Sequence, residues 1–172
     1  MRINNVDVDR VRQTIAAVQA DSNQARRTNR VEVAWQFAES QLQMVGTAMV
    51  EGKPVTLEAD SPVFLGGGGL RPGPIPYCLF GFATCYAATF ASVAAEQGVR
   101  LTRLKVTAET TVDFTRALGL GDTPPSEGVR FLVEAETDGG REALERLKTA
   151  AYERCPGVYC ITHAMPLTVT LA

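Results

Sequence analysis

The sequence predicts an α+β domain in which antiparallel strands, arranged in two groups, surround a buried central helix. Three patterns predict this class. Apolar and polar residues alternate in two separate stretches, the run from Pro72 to Ala95 carries no charge, and residues 140–154 repeat with a helical period. Hydrophobic residues make up 45% of the 172 and charged residues 21%, which is typical of a globular chain.

The first half predicts a helix followed by an antiparallel meander. Apolar residues at helical spacing indicate an amphipathic helix over roughly 7–24, with Asp7 as its cap. Over residues 31–37 the apolar residues recur at every second position, which predicts a strand. Two further apolar runs, 42–50 and 55–59, flank the turn sequence at 51–54 and predict a hairpin.

A glycine run at 66–69 leads into the uncharged segment. It lacks the spacing of a phosphate-binding loop, so nucleotide binding is not expected. Prolines at 72, 74 and 76 open a helix that ends near Gln97, before Gly98. Because prolines and hydroxyl residues interrupt this segment and no basic cluster flanks it, we expect a core helix rather than a membrane span.

The second half predicts two long strands, a helix and a short last strand. Alternation indicates strands over 103–114 and 129–135, separated by a Gly/Pro loop. Asp138 is the expected cap of an amphipathic helix over 140–154. Residues 167–171 predict the last strand, and no internal repeat is apparent.

The charge and histidine counts narrow the function. A net charge of −2 gives no reason to expect nucleic acid or an anionic membrane as a partner. With one histidine, sites that need two or three imidazoles are excluded within one chain. The first residues show no signal peptide, which predicts a cytoplasmic protein with reduced cysteines, and thiol chemistry becomes the leading question.

The four cysteines occupy different settings. Cys78 and Cys85 share a face of the apolar helix two turns apart, too far to bridge, and a packing role is the alternative for each. Cys155 precedes Pro156 at a helix end, where a turn can present its sulfur. Cys160 and His163 could join Cys155 in a metal site, but this spacing is not a common zinc pattern, so no metal is expected.

Two motifs resemble the OsmC/Ohr group of thiol-dependent peroxidases, the osmotically inducible and organic-hydroperoxide-resistance proteins. One is the proline-led apolar helix that contains Cys85 followed by Tyr86, and the other is Cys155-Pro156 after the last amphipathic helix. The resemblance runs from about Trp35 to the carboxyl end, in the same order of strands and helices. It implies an OsmC-like domain over 29–172, preceded by a helical extension over 1–28.

The resemblance also implies a function. Cys85 would be the peroxidatic cysteine and Cys155 the resolving cysteine that forms a disulfide with it. The substrate would be an organic hydroperoxide, an external dithiol would restore the thiols, and no cofactor would be needed. The family folds as an intertwined homodimer, which would cover an apolar helix on every side. Cys78 and Cys160 would then be packing residues.

The sequence departs from the family where the cysteine is activated. The family uses an arginine from the early strands, held by a glutamate just after the helix-opening proline, but no carboxylate occurs here between Ser61 and Glu96. Arg30 and Arg71 are the remaining candidates for that arginine.

Aromatic residues near the start of the apolar helix, Tyr77 and Phe82 among them, could line a pocket for the substrate. Two alternatives to a peroxidase stay open. One is a non-catalytic relative that binds a small apolar ligand at the dimer interface, and the other is a thiol regulator whose disulfide changes a partner contact.

Overall fold

The computed structural model describes residues 1–171, which form seven strands and four helices. All strand pairs are antiparallel, so the predicted α+β class with antiparallel sheets is confirmed. The chain divides into two compact units. One is Gln13–Cys78, and the other joins Met1–Arg12 to the chain from Leu79 onward.

The unit Gln13–Cys78 contains a three-stranded meander. Strands β3 (Val31–Trp35), β4 (Met44–Val50) and β5 (Lys53–Ala59) lie in that order, with Val33 opposite Gly46 and Gly46 opposite Leu57. The predicted hairpin joins β4 to β5 and turns through Glu51 and Gly52, both in the left-handed region. Residues 36–37, predicted as strand, lie outside β3.

Helix α1 (Val8–Ala20) begins where the sequence predicts it. The Asp7 carboxylate accepts a hydrogen bond of 3.1 Å from the Arg10 backbone N–H, as expected of a cap. The helix ends earlier than the prediction, since a separate 3₁₀ turn occupies Ser22–Ala25, with the Asp21 side chain accepting from Asn23.

The other unit packs helices on a long two-stranded ladder. Strands β6 (Leu101–Glu109) and β7 (Arg130–Thr137) pair with Val106 opposite Val133. Helix α3 (Gly140–Arg154) follows β7, and helix α4 (Pro156–Thr162) follows directly after Cys155. A hairpin of β1 (Arg2–Ile3) and β2 (Val6–Asp7) completes the unit.

Helix α2 (Pro74–Glu96) is the long apolar helix, and its burial is uneven along its length. Its carboxyl-terminal half is buried, with Phe90 1% exposed, whereas Phe80 in the first half is 66% exposed. By length and composition alone α2 could also span a membrane. Its buried half instead belongs to a protein core formed with α3 and α4: Tyr86, Phe90, Val93, Ala94, Leu147, Ala151, Cys155 and Val158.

Three local features of the second half differ from the sequence predictions. The strand predicted over 103–114 ends at Glu109, beyond which only an isolated bridge joins Val112 to Ser126. Asp138 does not cap α3, because the N-cap position is Gly139 and no side chain caps it. The short helix α4 was not predicted.

The last predicted strand, 167–171, is also wrong for the described chain. These residues join none of its sheets, and their apolar side chains are exposed. An alternating pattern marks a segment suited to a sheet, but a strand forms only where a neighbour supplies the hydrogen bonds.

Candidate active site

Cys85 lies on α2, and Cys155 lies in the one-residue joint between α3 and α4. Cys155 has extended backbone angles, φ −79° and ψ 117°, and is both the C-cap of α3 and the N-cap of α4. Pro156 explains this geometry, since a proline disfavours helical angles in the preceding residue and is well suited to the first position of the next helix. The motif therefore turns the chain at the cysteine.

This turn brings the two thiols together. The Cys155 Sγ donates toward Cys85 Sγ at 3.6 Å, across 70 residues of sequence. Cys155 is 2% exposed, whereas Cys85 is half-buried. The sulfur atoms of a disulfide lie about 2.05 Å apart, so this separation is that of two neighbouring free thiols.

The surroundings of Cys85 favour the neutral thiol. Burial raises its pKa above the ordinary thiol range, because the thiolate loses hydration. A backbone N–H from Gly157 opposes the rise by hydrogen bonding to the sulfur, while the neighbouring Cys155 and Cys160 sulfurs add to it. None of these contributions comes from a cation. The arrangement thus supplies a close partner thiol but weak activation.

The arginines proposed to activate Cys85 have carboxylate partners in the unit Gln13–Cys78. Arg30 forms an exposed ion pair with Glu32. Arg71 donates from Nε to Glu58 at 2.7 Å and from NH1 to the Leu70 carbonyl at 2.9 Å. Each guanidinium is therefore held by its own unit.

The two aromatic candidates lie on α2. Tyr77 donates its hydroxyl to the Glu58 carbonyl at 2.6 Å, so it fastens the start of α2 to β5. Phe82 is half-buried three residues before Cys85. Their predicted role in lining a substrate pocket stays a prediction.

Cys78 and Cys160, which are expected to be packing residues, are both exposed in this chain. Near Cys160, the rings of Tyr159 and His163 stack with centroids 4.1 Å apart, and the His163 Nδ1 lies 2.9 Å from the Thr162 hydroxyl. Within residues 1–171, no three potential metal-ligating side chains gather into a cluster.

A cavity of about 500 Å³ opens between β7, α3 and α4. Its walls are mainly apolar, and Tyr86 and Val158, the neighbours in sequence of Cys85 and Gly157, both contribute to them. The Tyr86 hydroxyl donates to the Lys148 carbonyl at 3.2 Å, which fixes the ring. An apolar group of modest size would fit this space.

Sequence reasoning missed two parts of this region. Gly157 approaches Cys85 closely, and only its place two residues after Cys155 could have indicated this. Arg154 forms two hydrogen bonds with Glu96, which the sequence separates by 58 positions, so no local pattern indicated the pair.

The fold and the thiol pair define an α+β protein that carries two free thiols whose sulfur atoms lie 3.6 Å apart. Residues 66–170 match the family model described as OsmC-like protein. The chain belongs to the OsmC-like family, as the two cysteine motifs predict. No curated protein is similar enough in sequence to match the chain.

Solved structures share the fold at low sequence identity. The organic hydroperoxide resistance protein OsmC from Legionella pneumophila is 20% identical, with a TM-score of 0.57 over 79% of this chain and 90% of that one. OhrB of Bacillus subtilis is 19% identical, with a TM-score of 0.55 over 79% and 91%. An OsmC-like protein from Mycoplasma pneumoniae is 17% identical, with a TM-score of 0.57 over 77% and 86%.

Proposed function

We propose that this protein is a thiol-dependent peroxidase that reduces organic hydroperoxides through Cys85 and Cys155. The observation that carries the proposal is the 3.6 Å between their sulfur atoms. Two of the structural relatives bear the name organic hydroperoxide resistance protein, which agrees with this substrate class.

The chemistry uses one thiolate and one thiol. The Cys85 thiolate attacks the outer oxygen of the hydroperoxide, the O–O bond breaks, and the alcohol leaves after taking a proton from water. Cys85 is then a sulfenic acid. The Cys155 sulfur attacks it, a disulfide forms, and the hydroxyl leaves as water with the Cys155 proton. An external dithiol reduces this disulfide by exchange and is itself oxidised.

The environment of Cys85 sets the expected rate. Its raised pKa leaves a small thiolate fraction at neutral pH, and no glutamate follows Pro74 to hold an activating arginine as in the family pattern. We therefore expect slow turnover at neutral pH. The mainly apolar cavity that Tyr86 helps to line favours organic hydroperoxides over hydrogen peroxide, because it can bury a hydrocarbon group.

Intact-mass analysis after one equivalent of cumene hydroperoxide tests the proposal. The reduced protein is expected to lose two hydrogen atoms, and peptide mapping is expected to find a disulfide between Cys85 and Cys155. Both thiols still free after prolonged exposure would overturn the proposal.

Serine variants assign the two roles. Cys85→Ser is expected not to react at this site. Cys155→Ser is expected to stop at a Cys85 sulfenic acid, which gains one oxygen and can be trapped with dimedone. Cys78→Ser is the matched control, since this exposed thiol lies on the same helix and is expected to leave the disulfide yield unchanged.

A cytoplasmic homodimer is part of the same proposal. On β3, the apolar side chains Val31, Val33 and Trp35 are all exposed, and a second subunit would remove them from water. Light scattering is expected to give twice the monomer mass, and a monomer at micromolar concentration would contradict this.

A second candidate is a non-catalytic protein that binds a small apolar ligand. The cavity of about 500 Å³ and the raised pKa of Cys85 favour it. It predicts that a hydrophobic dye binds equally to the native chain and to Cys85→Ser, with no peroxide consumed by either. Consumption that depends on Cys85 would exclude it.

A further inference from the structure

We propose that Gly157 is a positioning residue of the thiol pair: its missing side chain leaves room for the two sulfurs to meet. The inference rests on the proposed function for its catalytic meaning. Its physical content concerns only the two thiols, so it can be tested without peroxide.

The space at Gly157 is limited by the thiol pair itself. A Cβ placed on Gly157 would lie 3.1 Å from Cys85 Cβ, 3.3 Å from Cys85 Sγ and 3.7 Å from Cys155 Sγ. The first two separations are tighter than most real contacts, so Cys85 would have to give by a few tenths of an ångström. Because Cys85 is fixed on α2, its side chain would turn or the α4 backbone would retreat.

Backbone conformation does not explain a glycine at this position. Gly157 lies inside α4 and is not among the residues with positive φ. Any L-residue could adopt this conformation, and alanine would favour the helix more than glycine does. The reason for a glycine is therefore the contact with Cys85.

The step that depends on this room is disulfide formation. In exchange with oxidised dithiothreitol, the Cys85–Cys155 bond forms while the reagent takes up both electrons and both protons. A disulfide strained by a Cβ at position 157 would be less stable whichever oxidant forms it, hydroperoxide or dithiothreitol.

The test compares Gly157→Ala with Gly81→Ala. Gly81 is its match, since it also lies within a helix and a Cβ there would meet nothing within 4 Å. Each variant is equilibrated with reduced and oxidised dithiothreitol, and the disulfide fraction is read by mass. Gly157→Ala is expected to form the disulfide about tenfold less favourably, since a strained disulfide is more easily reduced, and Gly81→Ala to match the native chain.

The outcomes separate the two proposals. A disulfide equilibrium in Gly157→Ala equal to that of the native chain overturns the spatial role. If the native chain forms the disulfide with dithiothreitol but never with hydroperoxide, the peroxidase proposal fails, and the comparison at Gly157 still gives its result. Equal unfolding temperatures of native chain and variants exclude a general loss of structure.

Discussion

Arg154 and Glu96 join the last residue of α3 to the last residue of α2. The Arg154 guanidinium donates from NH1 to Oε2 and from NH2 to Oε1, both at 2.9 Å. The pair raises the pKa of Arg154, since Glu96 favours the charged guanidinium. Because Arg154 precedes Cys155 directly, this contact ties the backbone of one thiol to the helix that carries the other.

A double-mutant cycle of Arg154→Ala and Glu96→Ala is expected to give a coupling of about 1 kcal/mol in urea unfolding. The two-pronged geometry strengthens the pair, whereas its partial exposure limits the gain. The control pair is Arg146 and Glu142, which lie one helical turn apart. They make a single contact of 2.7 Å, and their side chains are 61% and 90% exposed. Its coupling is expected near 0.3 kcal/mol, and equal couplings for both pairs would contradict the prediction.

The reactivity of Cys85 is expected to rise with pH beyond the ordinary thiol range. Its pKa is raised chiefly by burial, so the reactive thiolate appears only at alkaline pH. The measurement is the single-turnover rate with hydroperoxide from neutral to alkaline pH. A rate that is already constant around neutral pH would show that the thiolate is stabilised by something else.

The same shift predicts a dependence of stability on pH. The folded chain holds the proton on Cys85 more tightly than the unfolded chain does, so this contribution is complete below the unfolded pKa and is lost as pH rises through the folded one. The free energy of unfolding is expected to fall at alkaline pH in the native chain. The fall should be shallower in Cys85→Ser, and parallel curves would refute the assignment.

Leu147→Ala is expected to cost about 2–5 kcal/mol of unfolding free energy. Leu147 is 0% exposed in the core beside Cys155, and its removal leaves a cavity. Leu120→Ala is the control, since that side chain is 76% exposed and its loss should change stability by less than about 0.5 kcal/mol. Chemical denaturation of both variants makes the measurement.

Gly46→Ala is expected to destabilise the meander by about 1–3 kcal/mol, as overpacking does in a tight site. A Cβ there would lie 3.0 Å from the Glu32 carbonyl oxygen and 3.4 Å from Val33 Cγ2, inside the β3–β4 pair. The backbone oxygen cannot turn away as a side chain could. A denaturant midpoint of Gly46→Ala equal to that of the native chain would contradict this prediction.

Local patterns predicted most of the fold, because periodicity and turn residues act over short distances. The alternation in β6 and β7, the hairpin at Gly52 and the helix α3 all depend on neighbours in sequence. The segment 167–171 has the same alternation without a partner strand, so its pattern alone predicted too much.

The site could be predicted only in part. The pair Cys155-Pro156 predicted a turn, since the effect of proline on its neighbour is local. The contact of Gly157 with Cys85 depends on how α4 meets α2, and the pair of Arg154 with Glu96 on how two helix ends meet. Such contacts arise from packing between distant segments, which composition and spacing do not encode.

Cys85 and Cys155 lie 70 positions apart in the sequence, so a disulfide between them would change the stability of the protein. A disulfide across a loop of that length removes conformational freedom from the unfolded chain, worth about 4 kcal/mol on the chain-entropy model. The oxidised protein would therefore resist unfolding and proteolysis more than the reduced one. Each catalytic cycle would therefore alternate between a more stable, oxidised form and a less stable, reduced form of the protein.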